Sequence, residues 1–283
     1  MKVNDIGVDL SQHNSYVDFN KLKNDGVKFV ILRLGWIGNK KNHTLDTYFF
    51  DYYKRAKQVG LSIGIYIYNY CRSVQAIDNG CQWIEKQISG INFDLAIFID
   101  QEDKSIIDCG KENLTLQSEY FCNYFEKRGF KTGIYANKNW FTNYLDYNRL
   151  KSHWIWLAEW NKNITFKDRV DIWQYTSNGH FEGITGRVDT NKIITVKNVE
   201  KPDENSEKNV ESELYVEMKE YKNGSTIEKV YSDTSLCRMV GYLNKNETCQ
   251  CLGKTKNLAI VQYKIDGTDD YKIGYVQWLG GIK

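Results

Sequence analysis

One proline in 283 residues is the first absence. It excludes Pro-rich linkers and polyproline recognition segments. Charge of one sign is missing too. Against 38 basic residues stand 36 acidic ones, a net charge of +2, too weak a field to bind nucleic acid or an acidic membrane. No apolar run approaches the ~18 residues that a membrane-spanning helix needs, so no membrane insertion is expected. Residues 1–10 carry Asp5 and Asp9 and have no apolar h-region, so a Sec-type signal peptide is not expected there. Histidine is limited to His13, His43, His153 and His180. The seven cysteines include no CxxC, and Cys249 and Cys251 form only a CxC pair. No zinc signature results, no metal or cofactor is expected, and the odd cysteine count reads as reduced, mostly buried thiols.

Aromatics, in contrast, are abundant, with 20 Tyr and 8 Trp. Such rings fill cores and also stack on sugar faces. The length allows one large domain or two unequal ones. Apolar runs at residues 28–34 (KFVILRL), 61–68 (LSIGIYIY), 95–100 (LAIFID), 132–135 (TGIY) and 154–158 (WIWLA) read as strands buried on both faces. Helical stretches separate them. Asp46 is placed to cap one that carries Phe49, Tyr53 and Ala56 and stops at Gly60. Ser73 caps a second, with Ile77, Cys81, Ile84 and Ile88 on one face, and Thr115 opens a third that ends at Gly129. Repeated βα units predict a doubly wound sheet or a closed barrel. Residues 170–175 (VDIWQY) and 186–189 (GRVD) are late strands with no long helix between them. Residues 197–213 are polar, hold the proline and read as a linker between a first domain, 1–196, and a small all-β domain, 214–283.

The most informative segment is Ile97-Phe98-Ile99-Asp100-Gln101-Glu102. Strand alternation points Asp100 and Glu102 to one side. In a parallel β/α architecture, strand C-terminal ends form the active-site face. Two carboxyls there separate each other's pKa values into a proton donor and an anion, as glycosidic cleavage requires. Their spacing of about 6.6 Å along the strand does not by itself settle the stereochemistry, so the retaining and inverting outcomes both stay open. Asp9 ends the first strand and Asp189 a late one; closure of a barrel brings them towards the pair. Tyr66, Tyr68, Tyr135, Trp156, Trp160, Trp173 and Tyr175 sit at equivalent strand ends, as cleft lining or as core.

The ordered motifs DIGVDLSQHN, VKFVILRLGW, GLSIGIYIYNY, FIDQED, GFKTGIYANKNW, IWLAEW, DIWQYT and GITGRVDTN resemble glycoside hydrolase family 25, the lysozymes of bacterial autolysins and phage endolysins. The resemblance covers residues 3–194. It implies a TIM-like α/β barrel of five βα units followed by three strands. It also implies N-acetylmuramidase activity on the β-1,4 bond between N-acetylmuramic acid and N-acetylglucosamine of bacterial peptidoglycan. The family's acidic positions fall on Asp9, Asp100, Glu102 and Asp189, with Glu102 as general acid and Asp100 expected to stay ionised. Its cleft aromatics fall on Tyr66, Tyr135 and Trp160, and Tyr68 and Trp173 join them as candidate sugar contacts. One departure is GIYIYNY, where the family often has GAYHF, without its histidine.

VYSDTS, GYLNKNE, CLGK and YKIGYVQWLGGI resemble bacterial SH3-like wall-binding domains, with Tyr231, Tyr263 and Trp278 as presented rings. Rival readings are a catalytically silent wall-binding protein and a chitin-active relative. The oligomeric state stays open between a monomer and a weak homodimer. Without a signal peptide, synthesis in a bacterial cytoplasm and release through a phage holin fits the composition, with a prophage-derived autolysin as the near alternative.

Overall fold

Phe29–Ile37 is the apolar run FVILRLGWI, buried along almost its whole length because both faces of the strand are covered. The same holds around the sheet that it helps to close. In the computed structural model, residues 1–38, 43–195, 219–225, 227–231, 239–254, 258–264 and 271–277 are described. The chain divides into two compact units, Met1–Val199 and Glu200–Lys283. The residues read as a linker, 197–213, lie outside the described residues, as do Cys237 and Trp278.

In the first unit the order is β1 (Ile6–Leu10), α1 (Phe19–Asn24), β2 (Phe29–Ile37), β3 (Thr44–Leu45), α2 (Phe49–Gln58), β4 (Ser62–Asn69), α3 (Val74–Gln87) and β5 (Ile97–Asp100). It continues with α4 (Lys111–Glu126), β6 (Thr132–Asn137), α5 (Lys138–Asn143), α6 (Tyr147–Leu150), β7 (Trp154–Ala158), β8 (Ile172–Gly179) and β9 (Val188–Ile193). β1 pairs in parallel with β2 and antiparallel with β9, which closes an eight-stranded barrel; β3 is an added edge strand on β2. No helix separates β7, β8 and β9.

Two helices start differently from the sequence reading. Asp46 does not cap α2. It is buried, accepts the Tyr48 N–H at 3.0 Å and pairs with Arg33, and the helix begins at Phe49 behind Tyr48. α4 begins at Lys111 after Gly110, one turn before Thr115, whose hydroxyl instead donates to the Lys111 carbonyl inside the helix. Ser73 does cap α3, accepting the Ala76 N–H at 3.2 Å, and Ile77, Cys81 and Ile84 are buried beneath it.

Two apolar layers follow from strand alternation. Outside the barrel, strand and helix side chains such as Ile63, Ile67, Ile77, Phe121 and Leu157 share one core. Inside it, Phe29, Ile31, Phe98, Trp154, Trp156, Ile172 and Ile193 form a second. Rings this large fit because glycines face them. A Cβ on Gly133 would stand 2.5 Å from Phe98 Cε1 and 2.5 Å from the Trp154 carbonyl oxygen.

The second unit is an antiparallel sheet of β10 (Lys219–Lys222), β11 (Glu228–Tyr231), β12 (Met239–Leu243), β13 (Thr248–Lys254), β14 (Leu258–Lys264) and β15 (Tyr271–Gln277). Its order is β10-β13-β14-β15-β11-β12. Val230, Leu243, Cys249, Cys251, Val261, Tyr263 and Val276 make its own core. The described cysteines are free thiols, all buried except the half-buried Cys109.

Gly133→Ala places its methyl group against a carbonyl oxygen that cannot rotate away. The expected result is a loss of about 1–3 kcal/mol, the usual cost of overpacking, read as a lower urea midpoint with unchanged slope. An unchanged midpoint refutes the tight fit of glycine to the barrel rings.

Candidate active site

The mouth of the barrel is built by the residues after its inner core layer. Register places Asp100 beside Tyr68 on β4 and Tyr135 on β6, Arg33 beside Tyr66, and Asp9 directly opposite Asp189. Together with Glu102, Trp156 and Gln174 these side chains line a cavity of about 350 Å³. The structure therefore gathers all four candidate acids, and Tyr66, Tyr68 and Tyr135 with them. Trp160 stands next to this group. It is 64% exposed and lines a second cavity of about 410 Å³ with Glu102, Tyr135, Asn137 and Ala158.

Trp173 is not in the cleft. Alternation along β8 turns Gln174 inward, so Trp173 points into the outer core. There its ring meets Tyr175 at 5.6 Å and its indole N–H donates to the Glu159 carbonyl. The sequence reading of Trp173 as a sugar contact is corrected on that ground.

Gln101 explains why Asp100 and Glu102 both face the cavity. It is fully buried on the opposite side, where its amide donates to Ser118 Oγ at 3.0 Å and accepts from Asn69 Nδ2 at 3.1 Å. Its backbone N–H donates to the Tyr135 carbonyl at 2.9 Å, extending the ladder past the end of β5. A satisfied buried amide fixes the strand end more tightly than an exposed turn does.

Asp9 is held by two amides. Gln174 Nε2 donates to its Oδ2 at 2.9 Å and Asn191 Nδ2 to the same oxygen at 2.8 Å. Both amide orientations are fixed by donor-only indoles: Trp160 donates to Gln174 Oε1 at 3.1 Å and Trp156 to Asn191 Oδ1 at 2.8 Å. The Tyr135 hydroxyl also donates to Gln174 Oε1, at 3.1 Å.

The acids are held largely out of water. Burial, then the Asp189 charge, pushes Asp9 up to about 8 against the relief of its two amides. Burial, then Asp189 and Asp103, pushes Glu102 up to about 6, eased by Tyr135. Burial raises Asp189 as well. Asp100 goes well above the carboxylate range, through burial first and then Glu102 and Asp9, with Arg33 opposing. Its Oδ1 is buried without a hydrogen-bond partner. Asp100 is the more deeply buried of the pair, and its burial works against the ionised form that the sequence reading expects.

Arg33, Gln174 and Asn191 were missed in the sequence. Arg33 carried the clearest signal, a lone charge inside KFVILRL. Its Nε pairs with Asp46 at 2.8 Å, its guanidinium lies 5.5 Å from the Trp36 ring, and its Nη2 is buried without a partner at the cavity. Asn191 lies two residues beyond Asp189, on the same face of β9. Among the described residues, no group of three His, Cys, Asp or Glu side chains is arranged to hold a metal ion.

The sequence pattern of glycosyl hydrolases family 25 matches residues 8–184, and the chain belongs to that family. It is 26% identical over 193 residues to an autolytic lysozyme of Clostridium acetobutylicum, covering 66% of this chain and 55% of that protein. The modular autolysin LytC of Streptococcus pneumoniae, solved with a synthetic peptidoglycan ligand, superposes with a TM-score of 0.60 at 21% identity. That match covers 66% of this chain and 46% of LytC. The spore cortex lytic enzyme SleM of Clostridium perfringens has a TM-score of 0.57 at 16% identity, over 99% of this chain and 86% of SleM. The chain thus spans about half the length of the first two relatives.

A carboxyl whose folded pKa lies above its unfolded value binds its proton more tightly when folded. Stability from Asp9 is thus greatest below the unfolded pKa near 3.8 and falls as pH climbs to about 8. Asp9→Asn removes this penalty. It should raise the unfolding free energy by more than ~1 kcal/mol at pH 8 and by much less at pH 4. A pH-independent difference between the two proteins contradicts the burial account.

Proposed function

We propose that this protein is a lysozyme of the endolysin and autolysin type. In this reading it is an N-acetylmuramidase that hydrolyses the β-1,4 bond between N-acetylmuramic acid and N-acetylglucosamine in bacterial peptidoglycan. The observation that carries the reading is that Glu102 and Tyr135 line both cavities at the barrel mouth. A glycosidic oxygen at Glu102 has room for a sugar on either side. The half-buried carboxyl, raised to about 6, holds a transferable proton under mildly acidic conditions. Family membership and likeness to an autolytic lysozyme support the same substrate.

Glu102 gives its proton to the leaving oxygen as the C1–O bond breaks. The carbonyl oxygen of the 2-acetamido group attacks C1 in its place, a recognised variant of glycoside hydrolysis. Oδ1 of Asp100, which has no partner in the protein, accepts the acetamido N–H and so aims the carbonyl. Positive charge growing on the sugar favours the ionised form of Asp100, and Arg33 eases that ionisation. Water then attacks C1 and returns a proton to Glu102. Asp9 and Asp189 order the mouth, and Tyr66, Tyr68, Tyr135 and Trp160 carry the sugars.

The barrel is read as TIM-like, five βα units and then three strands, within residues 1–196. After a linker at 197–213, residues 214–283 form an SH3-like domain that holds the enzyme at the wall and raises its local concentration there. Release from a host cytoplasm through a holin completes the reading as an endolysin.

Glu102→Gln keeps the shape and removes the proton. Turnover on purified walls should fall at least about 100-fold with an unchanged circular dichroism spectrum; near-parental turnover sinks the assignment. In the parent enzyme, kcat/KM should fall as pH rises through about 6. Asp189→Asn removes a charge that raises Glu102, so this limb should move to lower pH. A limb that stays in place separates Asp189 from the acid. Mass spectrometry of products should find muramic acid at the reducing ends; N-acetylglucosamine there points to a different bond.

A further inference from the structure

The second unit carries a pocket of its own. It lies between β12, β14 and β15, with a volume of about 230 Å³, and Gly241, Tyr242, Asn244, Tyr263, Lys264 and Lys272 line it. We propose that this pocket binds an oxyanion of a cell-wall polymer, a carboxylate or a phosphodiester. The proposal rests on the reading of the second unit as wall-binding and gives that reading a ligand and a site.

Tyr263 is the centre of the argument. Its side chain belongs to the core of the unit and is 5% exposed, yet its hydroxyl is buried with no hydrogen-bond partner. A buried donor left unmade is costly, and the fold had a cheaper choice in phenylalanine. Gly241 keeps the pocket open over it, because a Cβ at that position would overlap the Tyr263 hydroxyl. Burial, then the Glu247 carboxylate, pushes the phenol above its ordinary value, so it remains a donor at neutral pH. Glu247 is itself engaged at the neighbouring turn, where it accepts the Asn244 N–H at 2.5 Å.

Cations stand beside this donor. Lys272 is directly opposite Tyr263 in the β14–β15 register, and opposite residues on antiparallel strands share a face. Lys264, opposite Tyr271, also lines the pocket. The half-exposed ring of Tyr242 forms a wall. No acidic residue is among the described lining residues. A phenol donor with the Lys272 side chain on the same face, beside a space of this size, matches a single anionic group, and its oxygen would satisfy the Tyr263 hydroxyl.

The test uses the full chain and purified bacterial walls, with cosedimentation as the readout. Tyr263→Phe should weaken wall binding about tenfold, the loss of one hydrogen bond to a charged group, while the thermal midpoint holds or rises. A merely structural tyrosine predicts unchanged binding. Lys272→Gln should weaken binding and flatten its dependence on salt. Walls stripped of phosphodiester polymers by hydrofluoric acid, and walls amidated at their carboxyls, identify the source: loss on the first assigns the phosphodiester, loss on the second the carboxylate. Full binding to both, parental binding by the variants, or no wall binding by the parent chain overturns the proposal. Hydrolysis of a soluble glycan by the parent is scored separately. Its failure sinks the muramidase reading and leaves the pocket standing.

Discussion

Carboxyl groups withdrawn from water at the mouth of a closed barrel set the terms for the rest of the first unit. Asp9 and Asp100 are almost fully buried there, Glu102 and Asp189 partly so. Each resists ionisation through burial, and the charges of Asp9, Glu102 and Asp189 raise their acidic neighbours further. Only a rigid surround keeps such groups together against their repulsion. The inner ring layer of Phe98, Trp154 and Trp156 supplies it from below. Aromatic contacts tie that layer to the site, with Trp156 at 4.5 Å from Tyr135 and 5.8 Å from Tyr66. The glycines that admit these rings are therefore part of the site, although they touch no substrate.

Orientation is controlled by groups that have no choice of role. An indole N–H only donates, so Trp156 and Trp160 determine which end of Asn191 and Gln174 faces Asp9. Both amide donors converge on Oδ2. Gln101 performs the complementary task on the outer side, anchoring β5 into the layer of α4 through Ser118. The DxE pattern works because its middle residue is buried on the far side of the sheet.

Much of this was legible in the sequence. Apolar runs located the barrel strands, because a strand buried on two faces leaves a continuous signal. Alternation located Asp100 and Glu102, and chain closure brought Asp9 and Asp189 together. What failed to show were long-range choices. Asp46 looked like a helix cap because a cap is a local pattern; its partner Arg33 lies thirteen residues earlier and is reached only through the fold. Trp173 looked like a sugar contact because the phase of β8 was not set by composition. Two aromatics flank one glutamine there, and the inward residue is the glutamine. Depth of burial, which spacing does not give, is what raises Asp100 above the carboxylate range.

Three of the buried polar atoms without partners follow one physical rule in both units. Arg33 Nη2 and Asp100 Oδ1 in the barrel, and the Tyr263 hydroxyl in the sheet, are all buried and unpartnered, and each residue lines a cavity. An unmade hydrogen bond in a core lowers stability by ~1–3 kcal/mol, and in each case a residue without that atom would avoid the loss. The atoms differ in what they await. On the proposed mechanism, Asp100 would face a group on which positive charge develops, so its acceptor would gain most in the transition state. On the proposal for the second unit, Tyr263 and Lys272 would face a static anion and gain on binding alone. Under these proposals, groups of the first kind would act on turnover and those of the second on residence at the wall. The two units thus keep the same structural debt for different ends.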